Sequence, residues 1–160
     1  MTQEQKELLL KDICVRLPYG VKCKVVDFPT HGLRGDNDKN VWSIASIIYY
    51  PPESEHHEIV HTIHYYPDGR VMHVYPQIDE IKPYLFPMSS MTDEQKNEYY
   101  DIVNYISTDD TDNWAEGEFI YIDRCNYFGK LLHFYNRHHL DWRSLIDKGL
   151  AIDATVLNIY

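Results

Sequence analysis

The spacing of hydrophobic positions changes twice along the chain. Leu10, Ile13, Cys14 and Leu17 recur at i, i+3, i+4 and i+7, one stripe of a helix. Thr2 and Gln5 ahead of them have the spacing of a capping box, in which each side chain bonds the other residue's backbone amide. Pro18 and Gly20 end this helix, because the residue before a proline avoids the helical basin. From Val21 the period is two: "VKCKVVDF" alternates, "VWSIASIIYY" is a long apolar run, and "EIVHTIHYY" and "RVMHVYP" flank "PDG". With "IDEIKPYLFP" these make four or five extended pieces with no helix between them, the pattern of an antiparallel meander or small barrel. The polar loop from Pro29 to Asn40 reads as an exposed tip.

After "FPMSS" the helical period returns. Thr92 and Gln95 repeat the capping-box spacing, and Tyr99, Ile102, Val103 and Ile106 form the stripe. "STDDTDN" breaks it, since short polar side chains compete for backbone hydrogen bonds. A third helix is predicted over about Ile122 to Arg137, burying Cys125, Phe128, Leu131, Leu132 and Tyr135. "LDWRSLIDKG" predicts a short fourth helix with Asp141 as N-cap and Gly149 as its stop. The fold class is therefore α+β: an N-terminal helix, a small antiparallel β-sheet or SH3-like barrel, and C-terminal helices. A β-rich body with its leading helix over 1–88 and a helical part over 89–160 are expected to form a single compact unit.

Composition narrows what such a fold can do. A formal charge of −10 over 160 residues argues against general nucleic-acid binding, which requires cations to displace phosphate counterions, and against an anionic membrane surface. A basic protein partner suits this charge better. Three cysteines, Cys14, Cys23 and Cys125, form no CxxC pair, so reduced thiols and a cytoplasmic location are expected. The start has no signal-peptide pattern, and no stretch reaches the length of a membrane span.

Five of the nine histidines fall within "HHEIVHTIHYYPDGRVMHVYP". On a helix His57, His61 and His64 would share a face able to hold zinc. "YYPDGR" argues instead for a hairpin, because Pro67 presets a turn and Gly69 accepts the left-handed position that follows. A three-residue turn sets Tyr65 opposite Val71, His64 opposite Met72 and Ile63 opposite His73; a two-residue turn sets His64 opposite His73. Either register brings two imidazoles together, and neither gathers three. No cofactor is therefore expected, with a divalent metal such as zinc on His57, His61, His64 and His73 as the alternative.

A second constellation is "RHHLDWR". His138, His139, Asp141, Trp142 and Arg143 could orient an anionic ligand or hold a metal. Structural roles compete with that: histidines closing a helix C-terminus, Asp141 capping and Trp142 packing. No nucleophile elbow and no phosphate-binding glycine loop occurs, and each cysteine falls on an expected buried face, so no catalytic residue is assigned. Asp109, Asp110, Asp112, Glu116 and Glu118 form an acidic run without EF-hand spacing, which reads as a solvated loop or as a mimic of a phosphate backbone. Trp42, Tyr49, Tyr50, Tyr65 and Tyr75 could line a peptide groove or simply pack the sheet.

Three phrases, "KELLLKDICVRLPYGVKCKV", "IKPYLFPMSSMTDEQ" and "HHLDWRSLIDKGLAIDATVLNIY", resemble a group of short proteins from gut anaerobic bacteria, often encoded in prophage-like or mobile regions. The resemblance covers the first helix, the last strand into the second helix, and the C-terminal part, while Val41 to Tyr75 departs from it. It brings no activity with it. Residue pattern and resemblance together lead to the expectation of a small cytoplasmic interaction module, an accessory protein of a phage or mobile element. A metal-dependent enzyme or metal-binding protein, and an acidic nucleic-acid mimic, are the alternatives.

Overall fold

A computed structural model describes residues 1–26, 41–49, 58–107 and 117–160, without the side chains of 49, 58, 105–107 and 117–126. Helix α1 spans Gln3–Arg16. Its capping box is formed as the spacing predicts: Thr2 Oγ1 accepts from the Gln5 amide at 3.2 Å, and Gln5 Oε1 accepts from the Thr2 amide at 2.9 Å. The strands are β1 (Lys22–Val25), β2 (Trp42–Tyr49), β3 (Glu58–Tyr65), β4 (Val71–Val74), β5 (Ile81–Leu85) and β6 (Ile152–Asp153). Helices α2 (Asp93–Ser107) and α3 (Gly117–Arg137) lie between β5 and β6.

The strands form one sheet in the order β4-β3-β2-β1-β5-β6, antiparallel throughout except for β5 with β6. It is open. Its edges, β4 and β6, do not pair with each other among the described residues, so the barrel alternative gives way to a sheet. The architecture is α+β, with the N-terminal helix and C-terminal helices the sequence implies.

The apolar run in β2 has a local cause. The ladder slips at Ala45, between the pairs Ile44–Thr62 and Ser46–His61. This bulge resets the alternation, so that Ile44 and Ile47 both meet the core through Thr62 and Val60.

The inner face carries Val21, Cys23, Val25, Trp42, Ile44, Val60 and Ile81, all buried. Leu9, Leu10 and Ile13 of α1 cover it, together with Leu145, Leu150 and Ala151. A smaller cluster of Tyr84, Ala154 and Ile159 closes over part of the β5 side. Lys6 reaches Asp79 at 2.6 Å and ties α1 to the turn before β5.

Three expectations are corrected. Cys14 is exposed, and the buried line of α1 runs Leu9, Ile13, Arg16, with Asp12 beside it. On α3, Phe128 and Leu132 are exposed, while Phe134 is fully buried; Leu131 and Tyr135 are half-buried. Residues 141–149 form turns and not a helix, because Ser144 takes φ +55°, a left-handed conformation that a helix cannot carry through. The Pro29–Asn40 tip lies outside the described residues, as do Tyr50, Asp109, Asp110, Asp112 and Glu116. The side chains of Tyr49, Ile106, Glu118 and Cys125 are likewise not described.

Candidate functional site

The turn between β3 and β4 fixes everything around it. Gly69 takes φ +86°, Tyr66 donates to Arg70 O at 2.9 Å, and Gly69 donates to Tyr66 O at 3.0 Å. Asp68 accepts from the Arg70 amide at 3.0 Å and from Arg70 Nε at 2.7 Å, which holds its carboxyl below the usual carboxylate range. The resulting register is that of the three-residue turn: Tyr65–Val71, His64–Met72, Ile63–His73 and Thr62–Val74.

Period-two alternation then deals the histidines to two sides. His61 and His73 lie on the outer face, and His61 Nε2 stands 2.9 Å from His73 Nδ1. The His61 ring also stacks on Tyr75 at 4.9 Å and 12°. Tyr75 is the directly opposed, non-hydrogen-bonded neighbour of His61, whereas His73, opposite Ile63, reaches His61 along the diagonal. His64 points the other way: its Nδ1–H donates to Val41 O at 2.9 Å, and its ring lies 5.2 Å from the buried Trp42. His57 lies outside the described residues. Among the described residues no three His, Cys, Asp or Glu side chains gather where one metal ion could bind them.

The outer face of this hairpin is also where large side chains meet solvent. Tyr65 is 63% exposed, Val71 47% and Tyr75 55%. Strand β4 is an edge of the sheet. Since Tyr66 bonds Arg70 and Val60 bonds Pro76, the amides and carbonyls of Val71 and His73 point away from β3. Of the aromatics expected to line a groove, Tyr65 and Tyr75 stand on this face, whereas Trp42 is buried in the core.

The residues of "RHHLDWR" do not gather at one point: Trp142 and Arg143 stack on each other, and the histidines and Asp141 take separate partners. His138 closes α3 against α2: Gln95 Nε2 donates to its Nδ1 at 3.0 Å, and its Nε2–H donates to Glu98 at 3.1 Å. Burial alone would raise the Glu98 carboxyl, but hydrogen bonds from His138 and Arg137 outweigh it and lower it. Gln95 is also the capping-box residue of α2, exchanging bonds with Thr92 at 2.9 and 3.2 Å. One side chain thus both starts α2 and fastens it to α3.

His139 turns elsewhere. It takes φ +52°, is buried, and stacks on Tyr160 at 3.9 Å and 17°. Burial, followed by the Arg16 charge, pushes its pKa down to about 4. Asp141 accepts from the amides of Leu145 and Ile146, each at 2.8 Å, a cap in all but the helix. Trp142 donates to Asn136 at 3.2 Å, and Arg143 lies 4.1 Å over its ring.

Arg143 also belongs to a buried charge cluster that sequence reasoning misses. Arg16 grips Asp12 with Nε at 2.7 Å and Nη2 at 3.1 Å, and both side chains are wholly buried. Arg143 Nε approaches Asp12 at 3.4 Å without hydrogen-bond geometry. Asp12 and Arg16 look like an ordinary surface i, i+4 pair. Their phase with Leu9 and Ile13 was the available signal.

Of the two thiols whose side chains are described, partial desolvation pushes Cys14 upward and full burial pushes Cys23 far upward, so neither favours the thiolate. No protein-family model, curated protein or solved structure matches this chain. No helix among the described residues is long and apolar enough to cross a membrane.

Proposed function

We propose that this chain is a small cytoplasmic protein-interaction module whose working surface is the outer face and free edge of the β3–β4 hairpin. The observation that carries this reading is the coincidence of Tyr65, Val71 and Tyr75, all exposed, on one face of a hairpin whose outer strand β4 is an edge of the sheet. Exposed aromatics of this kind supply large contact area at little entropic cost, and an open edge can accept an extended segment by main-chain hydrogen bonds. The net charge of −10 favours a partner whose segment is basic. An accessory role in a phage or mobile element, suggested by the resemblance of the flanking phrases, belongs to the same proposal.

Affinity purification from the source cells tests it. Retention of a protein partner by the wild-type chain, and its loss on Tyr65→Ser/Tyr75→Ser at unchanged thermal stability, is the expected outcome. Repeated recovery of the bare chain counts against the reading.

A further inference from the structure

The geometry points to a metal site on the same hairpin: His61 Nε2 and His73 Nδ1 form a two-imidazole chelate for a tetragonal divalent cation, Cu2+ above all. This inference needs no protein partner and stands whether or not the docking surface exists.

Three observations carry it. The two nitrogens are already 2.9 Å apart. Metal–imidazole bonds of about 2.0–2.1 Å meeting at a right angle span about 2.9 Å, whereas a tetrahedral centre needs about 3.3 Å. The observed separation therefore suits neighbouring corners of a square-planar or tetragonal shell, the preference of Cu2+ and Ni2+. Among first-row divalent ions Cu2+ also binds nitrogen most tightly.

The second observation is placement. Both rings project from paired strands at fixed register, and His61 is backed by Tyr75 at 4.9 Å. Little side-chain freedom remains to be lost when a cation binds. The third is access: His61 is half-buried, His73 is exposed, and both lie beside exposed Val71 and Tyr75, so a cation and its remaining water ligands can reach the face from solvent.

The proton balance is simple. In the neutral pair one ring nitrogen donates to the other. The cation takes both lone pairs, and the shared proton moves through water to the far nitrogen of its own ring. Two Cu–N bonds form, two Cu–water bonds break, and no net proton is released. Two imidazoles occupy two in-plane positions and leave the others to water or an incoming ligand.

Titration of the untagged full chain with Cu2+, followed by calorimetry and electron paramagnetic resonance, is the test. We expect one Cu2+ equivalent with an axial spectrum and nitrogen couplings. His61→Gln and His73→Gln should each remove that equivalent, with affinity falling roughly a hundredfold as the chelate becomes a single ligand. His64→Gln, on the opposite face, should leave it intact, and circular dichroism should report native spectra for all three. The assignment is overturned if wild type binds no such equivalent, or if either His61→Gln or His73→Gln retains it in full.

Discussion

Arg16 Nη2 donates to the carbonyl oxygen of Leu140 at 2.8 Å, across 124 positions of sequence. The same guanidinium holds Asp12, so the end of α1 is pinned to the chain that leaves α3 through one fully buried cation. Removing one member of a buried pair strands the other's charge, at about 3 to 5 kcal/mol. Asp12→Asn is expected to lose that much stability in urea unfolding. The double variant Asp12→Leu/Arg16→Met should lose less than the single one. A cost below about 1 kcal/mol for Asp12→Asn would contradict this role.

His139 should make stability depend on pH. An unfolded histidine takes up its proton near 6.5, and the folded one only near about 4. The unfolded state therefore binds more protons between these values. Stability is full above about 6.5, falls as pH drops toward about 4, and this contribution levels off below. The loss is on the order of 3 kcal/mol. His139→Asn tolerates the left-handed backbone and does not titrate, so the difference between its pH profile and that of wild type isolates the effect. Parallel profiles would exclude it.

Phe134 and Phe128 sit less than two turns apart on α3 and should behave oppositely. Phe134 packs at 6.0 Å from Tyr99 and 4.9 Å from His138, fully buried, whereas Phe128 is 60% exposed. Phe134→Ala is expected to cost about 3 to 5 kcal/mol. Phe128→Ala should stay within about 0.5 kcal/mol. Equal costs in chemical denaturation would mean that α3 is rotated from the orientation described.

Gly69→Ala probes the hairpin register. At φ +86° an added Cβ meets no neighbouring atom, so its penalty is conformational alone. A loss of about 1 to 2 kcal/mol is expected. No loss would indicate a different turn.

What could be read from sequence was local. Thr2 with Gln5 and Thr92 with Gln95 are legible because both partners of each cap lie within one turn. The hairpin register is legible because Pro67, Asp68 and Gly69 permit few backbone paths. The inward face of α3 was not, since apolar residues from Tyr127 to Tyr135 surround most of the helix and only Tyr99 and His138 decide between them. Nor was the parallel β6, whose pairing of Ile152 with Tyr84 depends on a contact far along the chain. Among the candidate site residues, the meeting of His61 and His73 follows from the register. The separate fates of His138, His139 and Asp141 follow from tertiary partners that no local pattern reveals.

The most direct test of the hairpin as the working surface is site-specific photo-crosslinking in the source cells, with the reactive group placed in turn at Tyr65, Tyr75 and Tyr100. Tyr100 on α2 is 56% exposed, so it controls for exposure alone. The expected result is a discrete protein adduct from Tyr65 and Tyr75 and none from Tyr100. Adducts from Tyr100 alone, or none from the two hairpin positions, would contradict the account.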